Sequence, residues 1–254
     1  TFQKILDLGL KVEYNKELGK NLTLQELDKK FDAIFLAYGA NITTKMGVDG
    51  EDLQGVYGGN QLLEKSLHPN YKGKKVAVIG GGNVAMDAAR TARRLGAEVH
   101  LVYRRSKAEM PARVEEVEHA KQEGIEFHFM TNPVEILGDE KGWVKAVKCI
   151  KMELGAPDAS GRRSPVELKG SEHELQADCV VMALGTAPNK LITDTTEHLK
   201  STEWGGILTD DKAATSREGI FAGGDAVIGA ATVILAMGAG RKAAASIDEY
   251  LKNK

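Results

Sequence analysis

Lys74-Lys75-Val76-Ala77-Val78-Ile79-Gly80-Gly81-Gly82-Asn83-Val84-Ala85 begins with a basic entry and an apolar run, which three glycines then break. A short apolar run bounded by glycine reads as a buried strand. From Asn83 to Leu95, small and apolar residues recur at Val84, Ala88, Ala92 and Leu95, with Arg90, Arg93 and Arg94 interspersed. That spacing predicts a helix, and Gly96 closes it. Glu98 to Tyr103 alternates as a second strand. Strand, glycine turn, helix and strand form a βαβ unit, because parallel neighbours need a crossover.

Within this unit, Gly80, Gly82 and Ala85 occupy the three small positions of a dinucleotide fingerprint. A Cβ in such a turn blocks both the sharp reversal into the helix and close approach of a pyrophosphate. The helix N-terminus then offers unpaired N–H groups and partial positive charge to that anion, here from Asn83 and Val84 onward. A purely structural glycine-rich turn is the alternative. The end of the second strand selects the nucleotide, since a carboxylate there binds a free ribose diol and arginine accommodates a 2′-phosphate. The sequence reads Tyr103-Arg104-Arg105-Ser106, which favours NADPH over NADH, with Lys107 and Arg113 as helpers; a solvated basic turn is the competing reading. Asp87, one turn into the helix, either orients a nicotinamide carboxamide or pairs with a neighbouring arginine.

Further out, Phe31-Asp32-Ala33-Ile34-Phe35-Leu36-Ala37-Tyr38-Gly39-Ala40 and Ala177-Asp178-Cys179-Val180-Val181-Met182-Ala183-Leu184-Gly185-Thr186 share Asp, Ala and Gly in register. Each reads as a buried parallel strand ending in a tight turn. A third run, Gly219-Ile220-Phe221-Ala222-Gly223-Gly224-Asp225, lies near the C-terminus. Residues 112–123 predict an amphipathic helix with a solvated acidic face, closed by Gly124. Residues 125–174 predict an antiparallel meander with turns at 138–142 and in the polar stretch 155–164. The carboxylate of Asp225, after a close-packed glycine pair, suits a ribityl hydroxyl. The small-residue run that follows, near Thr232 and Val233, brings a helix N-terminus toward an electron-rich ring carbonyl; a tightly packed buried helix is the alternative.

The expected fold is α/β: a Rossmann-like NADPH-binding domain with an antiparallel β-meander over 72–186, inserted into a truncated FAD-binding α/β domain formed by 1–71 and 187–254. Composition supports a globular chain. Of its 254 residues, 42% are hydrophobic and 28% charged, near the averages for soluble domains. The 34 basic and 36 acidic residues give a net charge of −2, which leaves no excess positive charge for a phosphate backbone, so no nucleic-acid partner is expected. The longest uncharged stretch, Ala226 to Gly240, is shorter than the roughly 18 residues of a membrane span. Cys149 and Cys179 are the two cysteines. They lack metal-ligand or redox spacing, so no metal ligand is assigned and a reducing cytoplasm is expected.

The segments Val76 to Arg90, Val102-Tyr103-Arg104-Arg105-Ser106, Glu109-Met110-Pro111-Ala112 and Ala222-Gly223-Gly224-Asp225 together resemble the small (beta) subunit of NADPH-dependent glutamate synthase and its close relatives. The resemblance covers nearly the whole chain. It implies a flavoprotein that takes hydride from NADPH to FAD and passes electrons to a partner, either the glutamate synthase large subunit or another electron-accepting subunit. Sulfide dehydrogenases and bifurcating ferredoxin:NADP oxidoreductases use similar subunits. The resemblance assigns NADPH to Gly80, Gly82, Asn83, Val84, Arg104, Arg105 and Gly185, and FAD to Gly39, Gly224, Asp225, Thr232 and Val233. It further implies that a cysteine-rich iron–sulfur region and a first FAD fingerprint belong to the full-length protein. The chain, starting at Thr1, is accordingly expected to be a fragment that binds NADPH and holds FAD poorly. A nucleotide-sensing module without turnover is the alternative function.

Overall fold

The computed structural model describes residues 2–65, 68–157 and 163–254. The chain forms two compact units: a split unit running through Ile42 and resuming at Ala187, and a continuous unit from Thr43 to Thr186. The inserted unit therefore begins about thirty residues earlier than the expected boundary at 72. Strand pairing explains the shift, because Val56–Gly58 lies parallel to Cys179–Met182 and forms one edge of the continuous unit's sheet.

That sheet has five parallel strands in the order Val56–Gly58, Cys179–Met182, Lys75–Ile79, Glu98–Tyr103 and Glu126–Phe129. Val76, Ala77 and Val78 are fully buried, as a strand covered on both faces must be. One face packs against helix Asn83–Arg94 through Ala85, Met86, Ala88, Ala89 and Ala92. Alanine lets this helix approach the sheet closely. Its C-terminus closes at Gly96 (φ 98°), where the N–H groups of Gly96 and Ala97 donate to the carbonyls of Arg93 and Ala92.

The opposite face carries the antiparallel sheet of Thr131–Gly138, Val144–Pro157, His173–Gln176 and Arg163–Glu167. Val144, Val147 and Cys149 of this sheet pack against Ala77, Ile79 and Val180. The meander is shorter than expected. Glu126–Phe129 pairs in parallel with Glu98–Tyr103, with helix Val114–Gln122 as its crossover. The turn at 138–142 is an Asx turn in which Asp139 Oδ1 accepts from the N–H groups of Lys141 and Trp143, both at 2.9 Å. The other polar turn has its centre, 158–162, outside the described residues. The acidic face of the helix is not merely solvated: Glu116 and Glu123 pair with Arg90, Glu123 also pairs with Arg94, and Glu118 pairs with Lys107.

In the split unit, Ile34–Leu36 pairs in parallel with Ile220–Ala222. Leu24, Leu36, Ile192, Leu199, Ile207 and Ile220 form its core. Helix Leu24–Asp28 carries a complete capping box between Thr23 and Glu26. The two related Asp-to-Gly segments thus supply one strand to each unit, and each ends at a left-handed glycine, Gly39 (φ 75°) and Gly185 (φ 101°).

Both cysteines are buried free thiols, Cys179 in the core between the sheet and helix Asn83–Arg94 and Cys149 in the core on the opposite face. Burial pushes Cys149 up to about 11 and Cys179 up to about 12, so neither is a thiolate at neutral pH. Native protein is expected to leave both thiols unmodified by an aromatic disulfide reagent at pH 8, with two titrating after denaturation. Rapid labelling of either thiol in the folded chain would contradict this placement.

Candidate functional site

In the continuous unit, the fingerprint turn joins strand Lys75–Ile79 to helix Asn83–Arg94. The Gly80 N–H donates to the Val102 carbonyl at 3.0 Å, tying the turn to the neighbouring strand. Gly80 has φ 140°, and a Cβ built on it would collide with the Ala183 carbonyl oxygen. On Gly81 a Cβ would lie 2.6 Å from the Tyr103 ring. Gly82 differs from both: its φ is −91°, and the nearest atom to a Cβ there is Pro111 Cγ at 4.0 Å. Two of these glycines are required by packing, whereas the third leaves open space beside the helix N-terminus.

No side chain caps this helix, and its first turn contains no acidic residue. The terminus thus keeps the positive end of its dipole toward that space. Asn83 does not point freely into it, because its Oδ1 accepts from the Arg113 N–H at 3.0 Å. The Ala112 N–H donates to the Gly81 carbonyl, also at 3.0 Å. Together these bonds stitch the 111–113 loop to the turn. Tyr103 completes the brace by donating its hydroxyl to the Glu109 carbonyl at 2.7 Å. Glu109 also closes a capping box with Ser106, and the Ser106 hydroxyl holds its carboxyl below the ordinary range. This loop attachment was not read from the sequence; the Ser106-to-Glu109 capping box was its visible signal.

The two arginines separate. Arg104 is exposed, whereas Arg105 is 7% exposed and its buried Nε has no hydrogen-bond partner among the described residues. A buried guanidinium without a carboxylate is costly and suits an anion supplied from outside the chain. Of the expected helpers, Lys107 is engaged by Glu118 at 2.8 Å, whereas the backbone N–H of Arg113 bonds to Asn83 beside the turn. Asp87 is exposed, and the helix arginines pair with Glu116 and Glu123 instead. Val84 sits partly buried in the first helical turn, and exposed Gly185 accepts from the Thr44 N–H through its carbonyl.

In the split unit, Gly39, Gly224, Asp225, Thr232 and Val233 all line one open cleft of about 260 Å³, floored by Phe35. Gly223 lies against that floor, where a Cβ would sit 3.0 Å from the Phe35 ring. Gly224 (φ 65°) reverses the chain into Asp225. Thr232 caps the helix Val233–Asn253, its hydroxyl accepting from the Leu235 N–H. The tightly packed buried helix that the sequence also allowed is not what forms. Val233 is 75% exposed and Ile234 80%.

A family model described as pyridine nucleotide-disulphide oxidoreductase matches residues 8–246. The chain belongs to that family. Among curated relatives of this pyridine nucleotide-disulphide oxidoreductase, the NADP(+)-dependent formate dehydrogenase subunit beta of Moorella thermoacetica is 46% identical over 98% of the chain and 36% of its own length. The glutamate synthase [NADPH] small chain of Escherichia coli is 37% identical over 96% of the chain and 56% of its own length. The chain spans between about a third and just over half of these relatives. A solved structure of Mycobacterium tuberculosis FprA in complex with NADPH shares the fold, with TM-score 0.77 and 21% identity over 94% of this chain and 68% of its own. Among the described residues, no helix is long and apolar enough to cross a membrane.

Proposed function

We propose that the chain binds NADPH at the Gly80–Gly82 turn and the flavin end of FAD in the cleft, as the NADPH-oxidising half of a multi-subunit oxidoreductase. The observation that carries this reading is an uncapped helix N-terminus beside open space, with a buried arginine at the end of the next strand whose Nε has no partner among the described residues. Both features suit a doubly anionic nucleotide, the turn for its pyrophosphate and Arg105 for a 2′-phosphate. Bound together, nicotinamide and flavin supply the hydride chemistry, which asks of the protein position and exclusion of water.

The chain's own residues do the positioning. Gly82 leaves room for the phosphates, while Asn83 and the 111–113 loop keep the turn rigid. Asp225 offers a carboxylate to a sugar-like hydroxyl, and the Thr232-capped helix presents its positive end to the cleft. At about 260 Å³ the cleft is smaller than the roughly 300–1,000 Å³ of common small-molecule sites. It fits one end of a dinucleotide rather than the whole. Both buried thiols are too far above neutral pH to serve as a redox pair. Electrons therefore leave toward an electron-accepting partner subunit rather than through a disulfide of this chain. The names of relatives, a formate dehydrogenase subunit beta and a glutamate synthase small chain, support a role as one subunit of a larger oxidoreductase.

A visible absorption spectrum after incubation with FAD, followed by anaerobic NADPH, tests the reading. A flavin band that bleaches on NADPH addition is expected. Saturable NADPH binding with no flavin band under any reconstitution would replace it with a nucleotide-sensing module.

A further inference from the structure

Away from both sites, on the sheet face opposite helix Asn83–Arg94, two Glu-x-His triplets lie on neighbouring strands: Glu98-Val99-His100 and Glu126-Phe127-His128. His100 is in register with Glu126, and Val102 with His128. Alternation along a strand puts all four polar side chains on one face. His100 Nδ1 lies 3.0 Å from His128 Nε2 and 3.4 Å from Glu126 Oε2, and His128 Nε2 lies 3.3 Å from Glu126 Oε1.

We propose that His100, Glu126 and His128 form a zinc-binding site with an open fourth position. Bonds of roughly 2.0–2.1 Å from zinc to imidazole nitrogen or carboxylate oxygen, arranged tetrahedrally, set ligand atoms about 3.3 Å apart. The Nδ1–Nε2 separation and the two contacts made by the oxygens of Glu126 lie close to that value, and one ligand atom from each residue falls within 4.8 Å of the other two, so one ion can be held between the paired strands. His100 is only 6% exposed. Its Nε2 faces Glu98 Oε1 at 3.1 Å; with an Nε2 proton donated to that carboxylate, Nδ1 is the nitrogen left to meet an ion. Glu98 thus orients the ligand from behind, as carboxylates commonly do for zinc-bound histidines.

The other polar groups nearby are engaged elsewhere. Lys151 Nζ is engaged by Thr131 Oγ1 at 3.2 Å, His173 Nδ1 lies 3.0 Å from the Ser171 carbonyl, and Lys75 stands 3.9 Å from Glu98. Two imidazoles and one carboxylate would leave the bound ion room for a water. The ion would pin the edge strand Glu126–Phe129 to Glu98–Tyr103, just before Met130 donates its N–H to the Arg105 carbonyl. Cysteine spacing could not reveal this site, because its ligands are split between two strands and use histidine.

The test uses the full chain stripped by chelator and titrated with Co²⁺ as a spectroscopic probe, then with Zn²⁺. One Co²⁺ per chain, with the visible bands of four-coordinate cobalt, displacement by Zn²⁺ and a Zn²⁺-dependent rise in unfolding temperature are expected. Glu126→Gln and His128→Gln should each weaken uptake by at least about 100-fold, and Glu98→Gln by about 10–100-fold. His119→Gln, on the helix, should leave it unchanged. Because the Glu126 side chain is 64% exposed, its variant keeps the fold and the test stands whether or not His128→Gln folds. No stoichiometric uptake, or uptake indifferent to Glu126→Gln and His128→Gln, overturns the proposal.

Discussion

Gly82→Ala is expected to unfold within about 0.5 kcal/mol of the parent, yet bind NADPH roughly 10–150-fold more weakly. Its backbone is extended, and the added methyl meets nothing closer than Pro111 Cγ at 4.0 Å. The folded chain accommodates it, but the methyl occupies the space a pyrophosphate needs against the helix N–H groups. Losing hydrogen bonds to a charged partner costs about 1.5–3 kcal/mol, which gives the stated factor. Gly80→Ala should fail differently. At φ 140° an L-residue is strained by about 1–3 kcal/mol, and collision with the Ala183 carbonyl adds about 1–3 kcal/mol more. Urea unfolding curves and NADPH fluorescence titrations of both variants separate the two roles. If Gly82→Ala kept full NADPH affinity, the turn would not hold the pyrophosphate.

Arg105→Leu is expected to leave the unliganded protein as stable as the parent or more so, while weakening NADPH binding about 10–150-fold and sparing NADH. The reason is the buried, unpartnered Nε of a side chain only 7% exposed. Removing a buried charge that lacks a partner relieves its desolvation cost, and an apolar side chain of similar size often stabilises such a site. A ligand with a 2′-phosphate would lose its charge-assisted contact, whereas one with a free ribose hydroxyl would lose little. Exposed Arg104 should contribute less, so Arg104→Leu is the comparison. Calorimetric binding of both nucleotides, read beside thermal unfolding, checks the prediction. Equal loss of NADH and NADPH affinity would show that Arg105 supports the loop rather than choosing the nucleotide.

The fingerprint was legible because each of its elements is local. Val76 to Ile79 is an unbroken apolar run, Gly80 to Gly82 break it with residues that can make a turn other side chains cannot, and the alanines from Ala85 to Ala92 repeat at helical spacing. The shared endings at Gly39 and Gly185 likewise marked real strand-to-turn junctions. The flavin-assigned residues were legible as separate short motifs, yet nothing local required Gly39 and Val233, nearly two hundred positions apart, to line one cleft. Pairing of Ile34–Leu36 with Ile220–Ala222 brought them together.

Other features depend on contacts that sequence spacing does not encode. The unit boundary moved to Thr43 because Val56–Gly58 found a partner more than a hundred residues away. Glu126–Phe129 joined the parallel sheet because the preceding helix could cross over it. Arg104 and Arg105 read as an equivalent pair, but adjacent residues at a strand end meet different surroundings, so one is solvated and the other buried. By itself, the sequence determined the βαβ nucleotide fold and the residue types suited to it, since turns and periodicity are properties of neighbouring residues. Tertiary structure alone decided which glycine is free to admit a ligand, which arginine is buried and which histidines meet, because burial and approach distances exist only once distant strands have paired.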